Sequence, residues 1–140
     1  MSWTNNEQSI IKKINKKFNL GLVEDSENYN HFDASSDKYI VEIKARKFPS
    51  NHKYALEGCF LEKYKYDHLC KKADERKMLY INYFTDGIIA IWNLSKMKDF
   101  DWEVLKMKKQ TYGYNNQAVD KVVAKLLLSS AVTFRGNDVW

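Results

Sequence analysis

The middle of the chain constrains the fold most. Residues 78–84 and 88–94 are apolar runs rich in Ile, Tyr, Phe and Trp, with Thr85-Asp86-Gly87 between them. Aromatic and β-branched residues suit a pleated sheet. Asp-Gly between two such runs predicts a hairpin, because the tight turn needs positive φ, where glycine is unstrained. A sheet is therefore expected around this antiparallel pair.

Upstream, Thr4-Asn5-Asn6 offers N-caps, and residues 7–18 predict an amphipathic helix with Ile10, Ile11, Ile14 and Phe18 on one stripe. Asn19-Leu20-Gly21 ends it. Short strands are expected over 20–24 and 29–33, joined by the polar turn 25–28. A turn at 34–37 leads into a central strand over 38–46. A strand over 56–61 and a helix over 62–74 follow, the helix carrying Glu62, Tyr66, Leu69, Cys70 and Ala73 on one side. Beyond the hairpin, 102–107 predicts a strand, 108–116 a loop and 117–128 a helix. That last helix would bury Val119, Val122, Val123, Leu126 and Leu127 and turn Lys121 and Lys125 outward. It would pack on the sheet or pair with a second subunit.

The length of 140 residues suits one domain with a real core. A hydrophobic content of 44% with 9 Tyr, 7 Phe and 4 Trp argues against disorder. The net charge of +5 suits a polyanionic partner, and lysine runs such as Lys12-Lys13 and Lys16-Lys17 suit ordinary solvated faces equally. Cys59 and Cys70 lack metal-type spacing and read as reduced, partly buried thiols. The first residues lack the basic and apolar regions of a signal peptide, and the apolar run 88–92 is too short to span a bilayer. No membrane association is expected, and a soluble cytoplasmic protein is.

The chemistry concentrates between His31 and Lys47. Alternate side chains of a strand share a face, so Glu42 and Lys44 point the same way and Ile43 points into the opposite layer. An antiparallel strand ending near Asp33 would bring a second carboxylate beside Glu42. Two carboxylates and an ammonium form a hard, oxygen-rich pocket suited to Mg²⁺. The other Glu-x-Lys triplet, Glu75-Arg76-Lys77, has no apolar strand ahead of it and reads as a solvated turn. Asp37 is the rival aspartate. Its place beside Ser35 and Ser36 suits side-chain-to-backbone hydrogen bonds, so Asp33 is preferred. Glu7 falls near the centre of the first helix's apolar stripe. A buried carboxylate there needs a partner or a metal, while a first-turn acid also complements the helix dipole.

Cations surround this stretch. Arg46 shares the strand face of Lys44, and Lys47 and Lys53 follow in a polar loop, all suited to phosphates. Lys65 lies at the margin of the 62–74 stripe, where a solvent-facing side chain is expected. Lys106, Lys108 and Lys109 next to Tyr112 and Tyr114 suit phosphate contacts and base stacking, or simply a solvated loop. His31, His52 and His68 read as exposed.

Asp33, Glu42 and Lys44, set in the order helix, three strands, helix and strands, resemble the PD-(D/E)XK nuclease superfamily. Phe32 stands where that superfamily usually has a proline before the aspartate. The resemblance implies an α/β, restriction-endonuclease-like fold. Its αβββαβ core, a mixed central sheet flanked by helices, would cover about 4–95, with a C-terminal helix extension over about 99–140. It implies a Mg²⁺-dependent endonuclease, with Mn²⁺ able to substitute, that hydrolyses DNA phosphodiester bonds. Phage or mobile-element nucleases acting on branched or replicating DNA are the similar kind, without a small-molecule cofactor. By the same resemblance Asp33, Glu42, the Ile43 carbonyl and Glu7 would hold the metal. Lys44 would orient or help deprotonate the attacking water. Lys65 would be the Lys or Gln that members often place on the second helix facing the site. A non-cleaving nucleic-acid-binding module of the same fold and an RNA-directed nuclease are the alternatives.

Overall fold

A computed structural model describes residues 3–25, 33–108 and 118–138. Helix α1 (Trp3–Phe18) leads to β1 (Val23–Glu24), β2 (Ala34–Ser35) and β3 (Tyr39–Ala45). Helix α2 (Lys53–Glu57), β4 (Cys59–Glu62) and α3 (Lys63–Ala73) carry the chain to the hairpin β5 (Lys77–Tyr83) and β6 (Ile88–Asn93). Strands β7 (Glu103–Lys108), β8 (Ala118–Leu126) and β9 (Val132–Arg135) complete it.

Among the described residues, the main sheet has the order β1-β2-β3-β5-β6-β9. β3 and β5 run parallel, and every other pair in it is antiparallel, so the sheet is mixed. A parallel pair needs a crossover connection, which α2, β4 and α3 supply. Gly87, at φ 85°, makes the β5–β6 turn at the expected place. A second sheet has the order β4-β8-β7, all antiparallel.

Strand alternation divides the core in two. Val41, Ile43, Leu79, Ile81, Ile89 and Ile91 pack against Ile10, Ile11 and Ile14 of α1. On the other face, Ile40, Tyr80, Ala90 and Trp92 pack with Leu61, Leu69 and Leu126 from β4, α3 and β8. Ile43 thus lies under α1, and Glu42 lies in the layer that faces α3, as the period-2 reading requires. Among the described residues no helix is long and apolar enough to cross a membrane.

Three expectations need correction. The helix expected over 117–128, and with it the C-terminal helix extension, is replaced by strand β8. Val119, Val122 and Val123 are β-branched and lose χ1 freedom in a helix, and β8 gains ladder bonds on both sides, from β4 and β7. Val123, Ala124 and Leu126 are buried, whereas Leu127 is half exposed. β9 also returns to the edge of the main sheet beside β6. Second, Ala34–Ser35 is strand rather than turn. The turn narrows to Ser36-Asp37-Lys38, with the Ser36 N–H bonded to the Tyr39 carbonyl at 2.9 Å, while residues 26–32 lie outside those described. Third, the strand expected over 56–61 begins only at Cys59. His52 caps α2 by accepting the Tyr54 N–H at Nδ1 (3.1 Å), so it is a half-buried cap and not a free loop side chain. Gly58, at φ 129°, then turns the chain into β4. Cys59 is buried and Cys70 exposed, both as free thiols.

Candidate metal and phosphate site

The site begins with the pairing of β2 and β3. Ala34 lies opposite Val41 and Ser35 opposite Ile40. One residue further, the Asp33 N–H bonds the Val41 carbonyl at 2.9 Å, and Asp33 arrives beside Glu42. Its carboxylate is then fixed by the backbone: Asp33 Oδ2 accepts the Ile43 N–H at 2.6 Å. Asp37 sits exposed in the turn instead. The hydroxyl that serves the backbone there belongs to Ser36, whose Oγ accepts from Lys38 and Tyr39 at 3.3 and 3.2 Å. Register alone brings Asp33 and Glu42 together.

Glu42 is 7% exposed. Burial, reinforced by the Asp33 charge, pushes its carboxyl up to about 8, against the pull of Lys65. Glu7, half-buried on α1, adds to that upward push through its own charge. Burial also raises the Asp33 carboxyl, opposed by the Ile43 N–H and by Lys65. Two buried carboxylates side by side disfavour full ionisation unless a cation joins them. Lys65, from α3, is the cation present. Its Nζ stands 3.4 Å from Glu42 Oε1, with the side chain 38% exposed. Burial alone would lower the Lys65 ammonium, but Glu42 and Asp33 hold it above its ordinary value. Ionising both carboxylates would leave more negative charge side by side than the Lys65 ammonium alone offsets, and a divalent cation can balance it. The fit is with a carboxylate pair and not a closed cage: among the described residues no three His, Cys, Asp or Glu side chains are placed to hold a metal ion.

Lys44 follows Glu42 on the same face of β3, beside Asn82 of β5 in register. It is half-buried. Burial lowers its ammonium, as do the charges of Arg46, Lys121 and Lys65, while Glu62 pulls the other way. Among the described residues no carboxylate comes within ion-pair distance of Lys44. It is a cation placed next to the carboxylate pair and left without a direct counter-ion.

The surrounding cations have different fates. Arg46 turns its guanidinium inward: Nε donates to Asn82 Oδ1, and Nη2 to the Phe60 carbonyl (2.8 Å) and to Tyr80 Oη (3.2 Å). Tyr80 in turn donates to the Phe60 carbonyl at 2.9 Å. Arg46 therefore ties the main sheet to β4. Lys47, Lys53 and Lys106 are exposed, with the Lys53 ammonium 5.3 Å from the Tyr54 ring. Nothing is described of the Lys108 side chain, and Lys109, Tyr112 and Tyr114 lie outside the described residues. Around Glu75-Arg76-Lys77, Arg76 donates to the Ala73 carbonyl (3.2 Å) and the Lys72 carbonyl, closing the end of α3. That triplet is a helix end and no site.

Three features here escape the sequence patterns. Lys65 faces the carboxylates, not solvent. Lys121, expected outward on a helix, reaches Glu62 Oε1 at 2.8 Å from β8 and acts by charge on Lys44. Asn82 is fully buried with its Nδ2 unpartnered among the described residues. An asparagine inside the apolar run 78–84 was the available signal for that position. Comparison with protein-family models, curated proteins and solved structures finds no match for this chain.

Proposed function

We propose that the chain is a divalent-metal-dependent endonuclease of restriction-endonuclease-like fold that hydrolyses DNA phosphodiester bonds. One observation carries the reading: Asp33 and Glu42 stand together across β2 and β3, with Lys44 next on the same strand face and Lys65 against Glu42. The strand order β1-β2-β3-β5, antiparallel and then parallel after a crossover through α3, supports it as well.

On this reading Asp33, Glu42 and the Ile43 carbonyl would hold Mg²⁺ or Mn²⁺, with Glu7 adding negative charge. When bound, the metal lowers the pKa of a water molecule and offsets negative charge on the phosphate. The chain's own part is then specific. The Ile43 N–H keeps the Asp33 carboxylate from rotating. Lys65 offsets part of the charge on Glu42 at 3.4 Å and would also be placed to meet a phosphate oxygen. Lys44, with no carboxylate among the described residues at ion-pair distance and with its ammonium lowered, can hold a phosphate oxygen or steady the attacking water through a hydrogen bond. No protein nucleophile is needed.

The Lys65–Glu42 contact also favours a second reading, a nucleic-acid-binding module that keeps the pair permanently closed and cuts nothing. The deciding assay incubates linear, circular, single-stranded and four-way-junction DNA, and structured RNA, with Mg²⁺, Mn²⁺ or EDTA. Metal-dependent cutting of DNA supports the proposal. Cutting confined to RNA redirects it to an RNA-directed nuclease, and binding without cutting leaves the closed module.

A further inference from the structure

We infer that the cavity beside Arg46 is a subsite for one unstacked nucleobase of the nucleic acid that the Asp33–Glu42 pocket would cut, an inference that rests on the hydrolase reading above. The cavity holds about 190 Å³, below the roughly 300–1,000 Å³ typical of pockets for drug-sized ligands. Its size suits a single ring system.

Phe48, Tyr54 and Phe60 give it aromatic walls, and Arg46 and Lys125 give it two cations. Phe48 and Tyr54 meet edge to face, with centroids 5.9 Å apart and planes at 73°. They make a corner, backed by His52 against both rings (5.3 and 4.8 Å) and by Phe84 against Phe48, and Tyr54 is 55% exposed. Every base has a π-face, so such walls take any of the four. The polar groups suit the rest of a nucleotide. Among the described residues Arg46 Nη1 donates to no protein group, which leaves its two N–H bonds for the oxygen or ring nitrogen of a base edge. Glu57 also lines the cavity, and its carboxylate is an acceptor suited to an exocyclic amino group. The Lys125 side chain is 45% exposed, and its ammonium, paired with Glu103 Oε1 at 3.6 Å, can also reach a phosphate. Gly58 shapes the cavity: a Cβ there would lie 2.8 Å from Lys125 Cβ, so a larger residue would push β8 aside.

Position links this cavity to the carboxylates. Arg46 follows Lys44 on the same side of the chain, about 7 Å further along for two residues of extended backbone. A phosphate at Lys44 would hold its neighbouring base within reach of the Arg46 cavity. Bases inside a duplex are stacked and paired and cannot enter it. A base from a single strand, a gap or a branch point can. The occupant is therefore an unstacked base, and the substrate class a nucleic acid with single-stranded character next to the cut.

The test uses the full chain in EDTA, so that nothing is cut. A short single strand carrying 2-aminopurine and the matching blunt duplex are titrated against the parent, Tyr54→Phe and Tyr54→Ala proteins. The expected result is a change in aminopurine emission on single-strand binding. Tyr54→Phe should bind like the parent, and Tyr54→Ala should lose about tenfold or more in single-strand affinity with duplex affinity unchanged. Equal single-strand affinity in Tyr54→Ala, an equal loss for duplex, or emission that stays constant at saturation overturns the inference. Tyr54 is exposed enough for its variants to fold, and thermal melting verifies that they do. Cleavage is not read here, so the base subsite and the hydrolase reading fail or stand separately.

Discussion

Asp33 Oδ2 and the Ile43 N–H lie 2.6 Å apart, so the aspartate is bonded to the peptide that joins Glu42 to Ile43. The hydrogen bond fixes the carboxylate through the backbone, independently of any other side chain. It also separates two roles that a substitution can test.

Asp33→Asn keeps an oxygen to accept that bond and removes the charge. Cleavage should be lost while thermal stability changes little. Asp33→Ala removes the bond as well, and a hydrogen bond to a charged group contributes roughly 1.5–3 kcal/mol. Urea melts should place Asp33→Ala below Asp33→Asn in stability, with both inactive. Asp37→Ala, in the exposed turn, should stay active. An inactive Asp37→Ala beside an active Asp33→Asn would assign the aspartate wrongly.

The raised carboxyl of Glu42 fixes the pH behaviour of the metal-free protein. Its folded value of about 8 lies above the ordinary 4.5, so between these limits the folded state holds a proton that the unfolded state has lost. This contribution is fully present below the unfolded value and declines as pH rises toward 8, by at most about 1.4 kcal/mol per pH unit. Melting in EDTA at several pH values should show stability falling over this window in the parent and a flatter profile in Glu42→Gln. Metal must displace the same proton. Mg²⁺ affinity measured by calorimetry should therefore rise toward pH 8, with proton release detected on binding. A pH-independent affinity would mean that the metal does not meet Glu42.

Lys65 lowers the Glu42 carboxyl, and Lys65→Met should move it still higher. The pH at which Mg²⁺ affinity is half its maximum should shift upward in Lys65→Met and stay in place in Lys65→Arg. An unchanged midpoint in Lys65→Met would show that the 3.4 Å contact does not persist in solution.

Arg46 joins Asn82, Tyr80 and the Phe60 carbonyl. Its removal takes the Arg46 donor from the buried Asn82 Oδ1, at about 1–3 kcal/mol, while the Phe60 carbonyl keeps Tyr80. Arg46→Ala should melt earlier than the parent by that margin in denaturant titrations, whereas Lys106→Ala, exposed on β7, should not. Equal stability of the two would argue that Arg46 faces solvent.

Much of this arrangement is legible in residue order. The hairpin at Gly87, the helices expected over 7–18 and 62–74, and the split of Glu42 and Lys44 from Ile43 follow from periodicity and turn chemistry, although α1 begins at Trp3, so that the expected caps Thr4-Asn5-Asn6 lie inside it. The pairing of Asp33 with Glu42 is only partly legible, since it needs the turn at Ser36-Asp37-Lys38, and the expected turn over 34–37 would have set Asp33 opposite Lys38. The fate of 118–126 does not follow. Its valines fit a helical stripe as well as a strand, and pairing with the distant β4 and β7 decides between them. Lys121 is hidden for the same reason, and Lys65 is reached only through the family resemblance, since the helical stripe by itself turns it to solvent. A lysine's partner depends on which element crosses over it, and local spacing records nothing of that.

The most direct measurement is nicking of supercoiled plasmid by the parent chain and by Glu42→Gln, each in Mg²⁺ and in EDTA, over a range of protein concentrations. The account predicts that the parent converts supercoiled to open-circular and linear DNA in Mg²⁺ only, and that Glu42→Gln binds the plasmid without cutting it. Cutting by the parent in EDTA, or equal cutting by Glu42→Gln, would contradict it.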